Sequence, residues 1–474
     1  MLEGKKRKTL FSLSIALTSF VTFNGVSNAS AAVPAIEERV ALENNSEATQ
    51  ARTSNETLHD WNKWTNDHAY SLTSIQPETI GQQKIPSSKF EDLEMLKPLL
   101  HDKRIVFLGE SSHGVAEFNL AKTRIIQFLH QEMGYNVLAF ESGLGNAMNA
   151  QGQIDKQTAQ QTMKDAIFRV WWAKETLPLF EYSKKTQNTD KPLKLAGFDI
   201  QQQGAFTNCD WLQNSQLAKQ FSDAEKQLAE WSFSKELKSY QRVKPSIIAV
   251  YEQVKSQVQL KEKELKAAYP SEPHIVKLME RTLADRIRLA DEYVELSIKA
   301  TIELEQDKDD SYLKTEEWRD QAMMENLLWL AEEIYPTEKF IVWAHNDHIR
   351  KAQSEVMGSP YPVKSMGERL PDIYKNYSYV LGLYMASGET ANNLREPMTV
   401  LPPIKGSIED ILSSTNEPYT FIDLRNRQNE RGNSWMFEPR LSYSWGIMEE
   451  SLVPRDQYDG ILLIDKVSKP NYIK

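Results

Sequence analysis

The stretch Arg104-Ile105-Val106-Phe107-Leu108-Gly109 runs without a break into Glu110-Ser111-Ser112-His113-Gly114, and a helical pattern follows from Glu117 to Met133. The first part is a short, continuous apolar run, the pattern of a strand buried on both faces. In the helix, Phe118, Ala121, Ile125, Phe128 and Leu129 share one stripe, and Gly134 stands where a C-terminal cap belongs. Six more short β-rich runs lie at 136–140, 193–198, 339–344, 377–385, 419–422 and 460–464. Helical patterns separate many of them. Strand–helix–strand alternation predicts an α/β fold, a mostly parallel central sheet flanked by helices.

Residues 210–335 break that rhythm. They are rich in Lys, Glu, Gln, Leu and Ala, with almost no β signal. Long helices are expected at 245–268, 274–305 and 315–335, with Pro270 and Pro273 between the first two and Pro336 closing the third. No a/d heptad lasts three or four repeats, so a helical insertion or lid domain is favoured over a coiled-coil arm. The expected order is a signal peptide at 1–31, a flexible leader at 32–57, the first part of the α/β core at 58–209, the helical insertion at 210–335 and the second part of the core at 336–474.

The N-terminus has the layout of a secretory signal. Lys5, Lys6, Arg7 and Lys8 precede a charge-free, mostly apolar stretch at 9–26, and Ala29-Ser30-Ala31 fits an A-x-A cleavage pattern. Ser, Thr, Asn and Gly interrupt the stretch, which falls short of the roughly 20 apolar residues of a membrane span. Cleavage, export and no stable membrane insertion are expected. The 474-residue chain carries a formal charge of −10 and has no basic block past its extreme N-terminus, a poor match to nucleic acid. Its one cysteine, Cys209, allows no internal disulfide and no thiolate cluster.

Chemistry concentrates at the ends of the predicted strands. Glu110 and His113 follow the first, Glu141 the second and Asp199 the third, and His345-Asn346-Asp347-His348 follows the fourth. In an open α/β sheet the carboxyl edge is where ligands bind. Each residue has a plainer role open to it. Glu110 could cap the following helix, His113 could be a solvated loop histidine, His348 could lie at the surface and Asp199 could hold a turn. Taken together they suit a histidine general base oriented by a carboxylate. Nearby Glu110 and Glu141 are expected to raise the pKa of that histidine. No G-x-S-x-G elbow or H-E-x-x-H motif is present. A divalent metal held by His345, His348, Glu110, Glu141 and Asp199 stays open as an alternative.

Leu108-Gly109-Glu110-Ser111-Ser112-His113-Gly114, Glu117-Phe118 and Leu138-Ala139-Phe140-Glu141 resemble the erythromycin esterase family. Met324-Glu325-Asn326, Val342-Trp343-Ala344-His345-Asn346 with His348, Gly197-Phe198-Asp199 and Tyr458-Asp459-Gly460 fit it as well. The resemblance extends over 96–466. It implies an α/β core with a helical insertion and hydrolysis of a carboxylic ester, in known members a macrolide lactone, with no required cofactor or metal. It also implies roles: His113 as the base that activates water, Glu110 and Glu141 orienting and polarising it, and His345 completing the pocket. The family carries a basic residue on the helix after the motif, for which Lys122 and Arg124 both qualify. The alignment offset points to Lys122. Helix geometry points to Arg124, since on an ideal helix His113, Glu117 and Arg124 share one face. With Asp199 and His348, these residues form the expected substrate-binding set. A metal-dependent hydrolase using the same cluster and a non-catalytic extracellular binding protein are the rival functions.

Overall fold

The computed structural model describes residues 54–79, 81, 84–306 and 308–474. The expected signal peptide and most of the expected leader lie outside the described residues. Asn55–His68 is already a helix, capped by the Ser54 hydroxyl, so the end of the expected leader belongs to the folded chain.

All seven strands expected from the sequence form. Among the described residues the strands are β1 (Tyr70–Ser71), β2 (Ile105–Leu108), β3 (Tyr135–Gly143), β4 (Lys194–Asp199), β5 (Lys339–Trp343), β6 (Ser378–Ala391), β7 (Pro397–Thr399), β8 (Tyr419–Asp423), β9 (Arg440–Ser444), β10 (Met448–Leu452) and β11 (Gly460–Val467). The main sheet has the order β1-β8-β11-β6-β2-β5-β3-β4, with β7 paired to β6. From β11 to β4 every pairing is parallel; β8, β1 and β7 add antiparallel edges. β9 and β10 make a separate hairpin.

Each central strand is apolar over its middle residues because it serves two cores. Ile105, Phe107, Val137, Ala139, Phe340 and Val342 face one side of the sheet. Val106, Leu108, Leu138, Phe140, Ile341 and Trp343 face the other. Helix α1 (Ala116–Met133) covers the second side through Phe118, Ala121, Ile125, Phe128 and Leu129, and ends at Gly134 with φ 73°.

The segment between β4 and β5 covers the first side. It contains α2 (Ser215–Trp231), α3 (Leu237–Gln257), α4 (Glu262–Ala268), α5 (Ile275–Arg288), α6 (Val294–Leu304) and α7 (Asp310–Trp329). Three helices differ from expectation. The one expected over 315–335 begins at Asp310 and ends in a π-turn at Leu330–Ile334. The one expected over 245–268 begins at Leu237, carries Pro245 inside it and stops at Gln257, with Glu262–Ala268 a separate helix. Pro245 and Gln241 are both exposed, so the carbonyl that loses its partner faces water. The helix expected over 274–305 is interrupted by a π-turn at Leu289–Tyr293. Among the described residues no helix is long and apolar enough to cross a membrane.

The chain leaves β2 toward β3 and leaves β5 toward β6, in opposite directions across the sheet. Between two such strands the loops diverge and open a crevice at the carboxyl edge.

Candidate active site

The motif loop after β2 is stitched to its neighbours by backbone bonds. Ser111 N donates to Leu383 O at 3.0 Å, Asn346 N to Glu110 O at 2.8 Å and Trp445 N to Ser111 O at 2.7 Å. Gly114 is required by closeness: a Cβ there would sit 2.0 Å from Ala391 O. β3 runs past its expected end to Gly143, and its register against β4 shifts between Phe140 and Gly143. This irregularity re-aims Glu141 from the sheet into the crevice. Gly197 permits it, because a Cβ there would meet Ser142 O at 2.5 Å.

Glu110 is fully buried, and three groups hold it. His113 Nδ1 lies 2.7 Å from Oε1, Trp171 Nε1 donates to Oε1 at 2.7 Å, and Lys122 Nζ donates to Oε2. The Lys122 ammonium also sits 3.8 Å above the Trp343 ring. Burial works against the Glu110 carboxylate, but Lys122 and His113 together keep its pKa below the usual value. An ionised Glu110 must receive a proton from His113 Nδ1, which leaves Nε2 with the lone pair. Burial lowers the pKa of His113 and outweighs the pull of Glu110 and Glu141. The expected upward shift is thus reversed: the carboxylates act in the expected direction, but desolvation is the larger effect. Burial also brings Lys122 down to about 8, against the opposing effect of Glu110.

A second corner forms around Glu141. Its Oε1 accepts from Arg319 Nη2 at 2.8 Å and lies 3.1 Å from His348 Nε2; its Oε2 accepts the His345 amide at 2.8 Å. Arg319 bonds Asp199 as well, through Nη2 at 2.7 Å and Nε at 3.3 Å. Asp199 Oδ1 also takes the Ile200 and Gln201 amides at 2.7 and 3.1 Å. His348 Nδ1 lies 3.1 Å from both oxygens of Asp320, which also takes the Tyr361 hydroxyl and the Met366 amide. Burial disfavours a charge on His348, but Glu141 and Asp320 hold its pKa well above the ordinary imidazole range.

His345 lies between the corners. Its ring centroid is 5.0 Å from that of His113, edge-on, and it stacks on Trp445 at 5.3 Å. The cleft has a volume of about 70 Å³. His113, Glu141, His345 and His348 line it together with Trp171, Tyr312, Arg319, Tyr361 and Trp445. Glu110, Lys122 and Asp199 stand behind that surface. The two remaining expected binding residues lie elsewhere. Arg124 pairs with Asp92 at 2.6 Å and with the carbonyls of Ser74 and Lys89. Glu117 bonds the Ser468 amide and hydroxyl, each at 2.7 Å. The shared-face argument for Arg124 needs His113 on the helix, but α1 begins at Ala116. Lys122 is the basic residue that reaches the motif.

Arg319, Asp320, Glu316 and Tyr312 were not anticipated. They occupy one face of α7 at spacings of four, seven and eight residues, a buried polar stripe readable as a face on a helix. Asp347 lies in the one-turn helix Asn346–Ile349, and Tyr361 and Trp445 lie on loops and turns, all without such a pattern. Met324-Glu325-Asn326 does not reach the cleft: Asn326 bonds Asp285 and the Phe198 carbonyl, and Glu325 pairs with Arg288. Among the described residues no three His, Cys, Asp or Glu side chains converge as a metal site. Lys122 and Arg319 already occupy the positions a cation would take beside Glu110 and Glu141.

The protein is an α/β protein with a histidine–carboxylate cleft at the carboxyl edge of its sheet, and the erythromycin esterase family model, a hydrolase family, matches residues 130–467. The chain belongs to the erythromycin esterase family. It is 31% identical over 448 residues to the Bacillus subtilis protein named "Putative hydrolase YbfO", covering 92% of this chain and 97% of that one. It is 24% identical over 375 residues to the Escherichia coli erythromycin esterase type II, covering 72% of this chain and 85% of the relative. The crystal structure of an erythromycin esterase mutant in its open conformation has the same fold, with a TM-score of 0.58 and 17% identity, covering 85% of this chain and 99% of the other. The family match starts after the Leu108–Gly114 motif, which the Bacillus subtilis comparison covers through its length.

Proposed function

We propose that this chain is an exported carboxylic-ester hydrolase in which His113 takes a proton from water. The observation that carries this reading is the 2.7 Å contact between His113 Nδ1 and the buried Glu110 carboxylate. It sets the tautomer that leaves a basic Nε2 on a side chain lining the cleft. Lys122 keeps Glu110 ionised without competing for His113, because it bonds the other carboxylate oxygen. Arg319 and the His345 amide hold Glu141 beside the cleft, where it favours positive charge developing on His113.

A macrolide lactone is one ester that this reading proposes for test. Phe168, Val170, Trp171 and Trp445 give the cleft an aromatic and aliphatic wall suited to a large apolar ring. The signal-like N-terminus supports action outside the cytoplasm. Incubation with 14- and 16-membered macrolides and with simple alkyl esters, followed by mass spectrometry, tests both levels. A gain of one water by a macrolide supports the lactone, hydrolysis of simple esters alone restricts the reading to ester cleavage, and reaction with neither rejects it. Loss of hydrolysis in chelator, restored by zinc or manganese, would replace it with the metal-dependent alternative.

A further inference from the structure

We propose that Tyr312 donates a hydrogen bond to the carbonyl oxygen of the ester as negative charge builds on it. This rests on the ester-hydrolase reading above. Attack of water on an ester carbon moves an electron pair onto the carbonyl oxygen. In a cleft that excludes bulk water, that charge needs a donor already in place.

Most donors that line the cleft are committed elsewhere. Trp171 Nε1 serves Glu110 at 2.7 Å, and the Tyr361 hydroxyl serves Asp320. Arg319 gives Nη2 to Glu141 and Asp199 and Nε to Asp199, while its Nη1 lies 3.2 Å from His348. His348 has a carboxylate at each ring nitrogen.

Tyr312 is different. It lines the cleft from the first turn of α7, and its hydroxyl makes no hydrogen bond to any described residue. The charges that act on this hydroxyl include those of Glu316, Arg319 and Asp347, and all three residues line the cleft. The phenol oxygen therefore stands among them at the cleft surface. A polar group left without a protein partner in such a place marks a position for a ligand atom. The cleft volume is about 70 Å³, so a reacting group that enters has little room to stand away from either wall.

A phenol suits the role because it keeps its proton. Burial, reinforced by Glu316 and Asp347 against Arg319, holds the Tyr312 pKa well above the ordinary phenol value. Its hydroxyl is an O–H donor wherever His113 is a base. The two carboxylates do not oppose a new negative charge unscreened. Asp347 Oδ1 accepts from Arg350 Nη1 at 3.1 Å. Glu316 lies 3.8 Å from Arg319 Nη1, and burial raises its pKa.

The reaction balances with Tyr312 neutral throughout. Water loses a proton to His113 Nε2 as its oxygen bonds to the ester carbon, and the carbonyl π-electrons move onto the oxygen that Tyr312 faces. They return as the C–O bond to the alcohol breaks with its electron pair on the leaving oxygen. That oxygen takes the proton from His113. The products are acid and alcohol, and the imidazole is neutral again.

Tyr312→Phe removes the hydroxyl and keeps the ring. Its kcat and KM are compared with the wild type on p-nitrophenyl butyrate and ethyl butyrate, with a thermal melt of each protein. Inhibition by ethyl propylphosphonate, a tetrahedral anion shaped like the attacked butyrate, is measured alongside. The substitution should lower kcat on both esters by about 10²–10³, the usual worth of one oxyanion donor, and leave KM within a few-fold. The Ki of the phosphonate should rise by a comparable factor, with the melt unchanged. The ratio of Ki to KM does not depend on the folded fraction, so it decides the matter even in a variant that is partly unfolded. A loss confined to KM would make Tyr312 a ground-state contact and overturn the assignment. A loss on the ethyl ester alone would place the hydroxyl on the leaving group, and unchanged kcat and Ki would remove it from the reaction; either result overturns the assignment while the ester-hydrolase reading stands. A wild type that hydrolyses neither ester would remove that reading and this assignment with it.

Discussion

The Glu110–His113 corner and the Glu141–His348 corner use the same residue pair in one cleft and reach opposite states. His113 has one carboxylate within bonding distance, and that carboxylate is shared with Lys122 and Trp171. Burial then keeps the imidazole neutral. His348 lies between two carboxylates, Glu141 and Asp320, both at 3.1 Å. Burial is outweighed there and the imidazole stays charged. What separates a neutral ring from a charged one here is the number of carboxylates within bonding distance, one for His113 and two for His348, not the residue type. A neutral imidazole can take a proton at physiological pH; a fixed imidazolium can only hold its neighbours in place.

The largest effects should divide along that line. His113→Ala should lower ester turnover by about 10²–10⁴ with little change in urea midpoint. His348→Gln leaves Asp320 and Glu141 short of a charged partner in a buried site and should cost stability first, by about 3–5 kcal/mol, seen in urea unfolding. Unchanged turnover in the first variant, or unchanged stability in the second, would break the contrast.

The pH profile sharpens it. Because the His113 pKa is lowered, the ascending limb of kcat/KM should lie below the ordinary imidazole range, and neutral base should be fully present above it. Lys122, at about 8, sets the other limit. Above that pH the ammonium beside Glu110 is lost, the buried carboxylate is left with less compensation, and activity should fall. Glu110→Gln removes the first partner that raises the His113 pKa, so it should move the ascending limb further down while slowing the reaction. An ascending limb above the ordinary range would contradict the dominance of burial.

The two basic residues of α1 extend the same logic. Lys122→Met should abolish most turnover, because Glu110 loses its cation. Arg124→Ala should leave turnover per folded molecule unchanged while weakening the fold, since Arg124 ties Asp92 and the carbonyls of Ser74 and Lys89 to the helix. A partly buried pair of this kind is worth about 1–3 kcal/mol, readable as a shift in melting temperature.

Much of this architecture was legible in the sequence. Seven strands could be placed because strands buried on both faces, six of them parallel and β8 antiparallel, leave short apolar runs, and the carboxyl edge followed from what lies after them. The boundary of α1 was less visible. Val115 is extended and the helix starts at Ala116, so His113 is a loop residue and ideal-helix arithmetic from it misassigns Arg124. The pull on His113 was foreseen in sign for each carboxylate but not in sum, because burial depends on Trp171, His345 and Trp445 arriving from three distant segments. Trp445 left no signal, since a tryptophan at positive φ runs against turn preference.

The smallest expected effect is at Glu117. Resemblance and helical spacing put it with the substrate-binding residues, but its side chain turns to the C-terminal segment and accepts the Ser468 amide and hydroxyl at 2.7 Å. Those contacts pin the chain beyond β11 to the first turn of α1, where a carboxylate also favours the helix N-terminus. They are solvent-accessible. Glu117→Gln removes the charge and leaves one acceptor oxygen for the Ser468 amide, while its NH2 can donate to the Ser468 hydroxyl in place of accepting from it, so stability should fall by no more than about 0.5–1 kcal/mol. Turnover of esters should match the wild type, and so should KM, because no atom of Glu117 reaches the cleft. A rise in KM with unchanged melting would return Glu117 to the binding site and show that the C-terminal segment moves away from α1 when substrate enters.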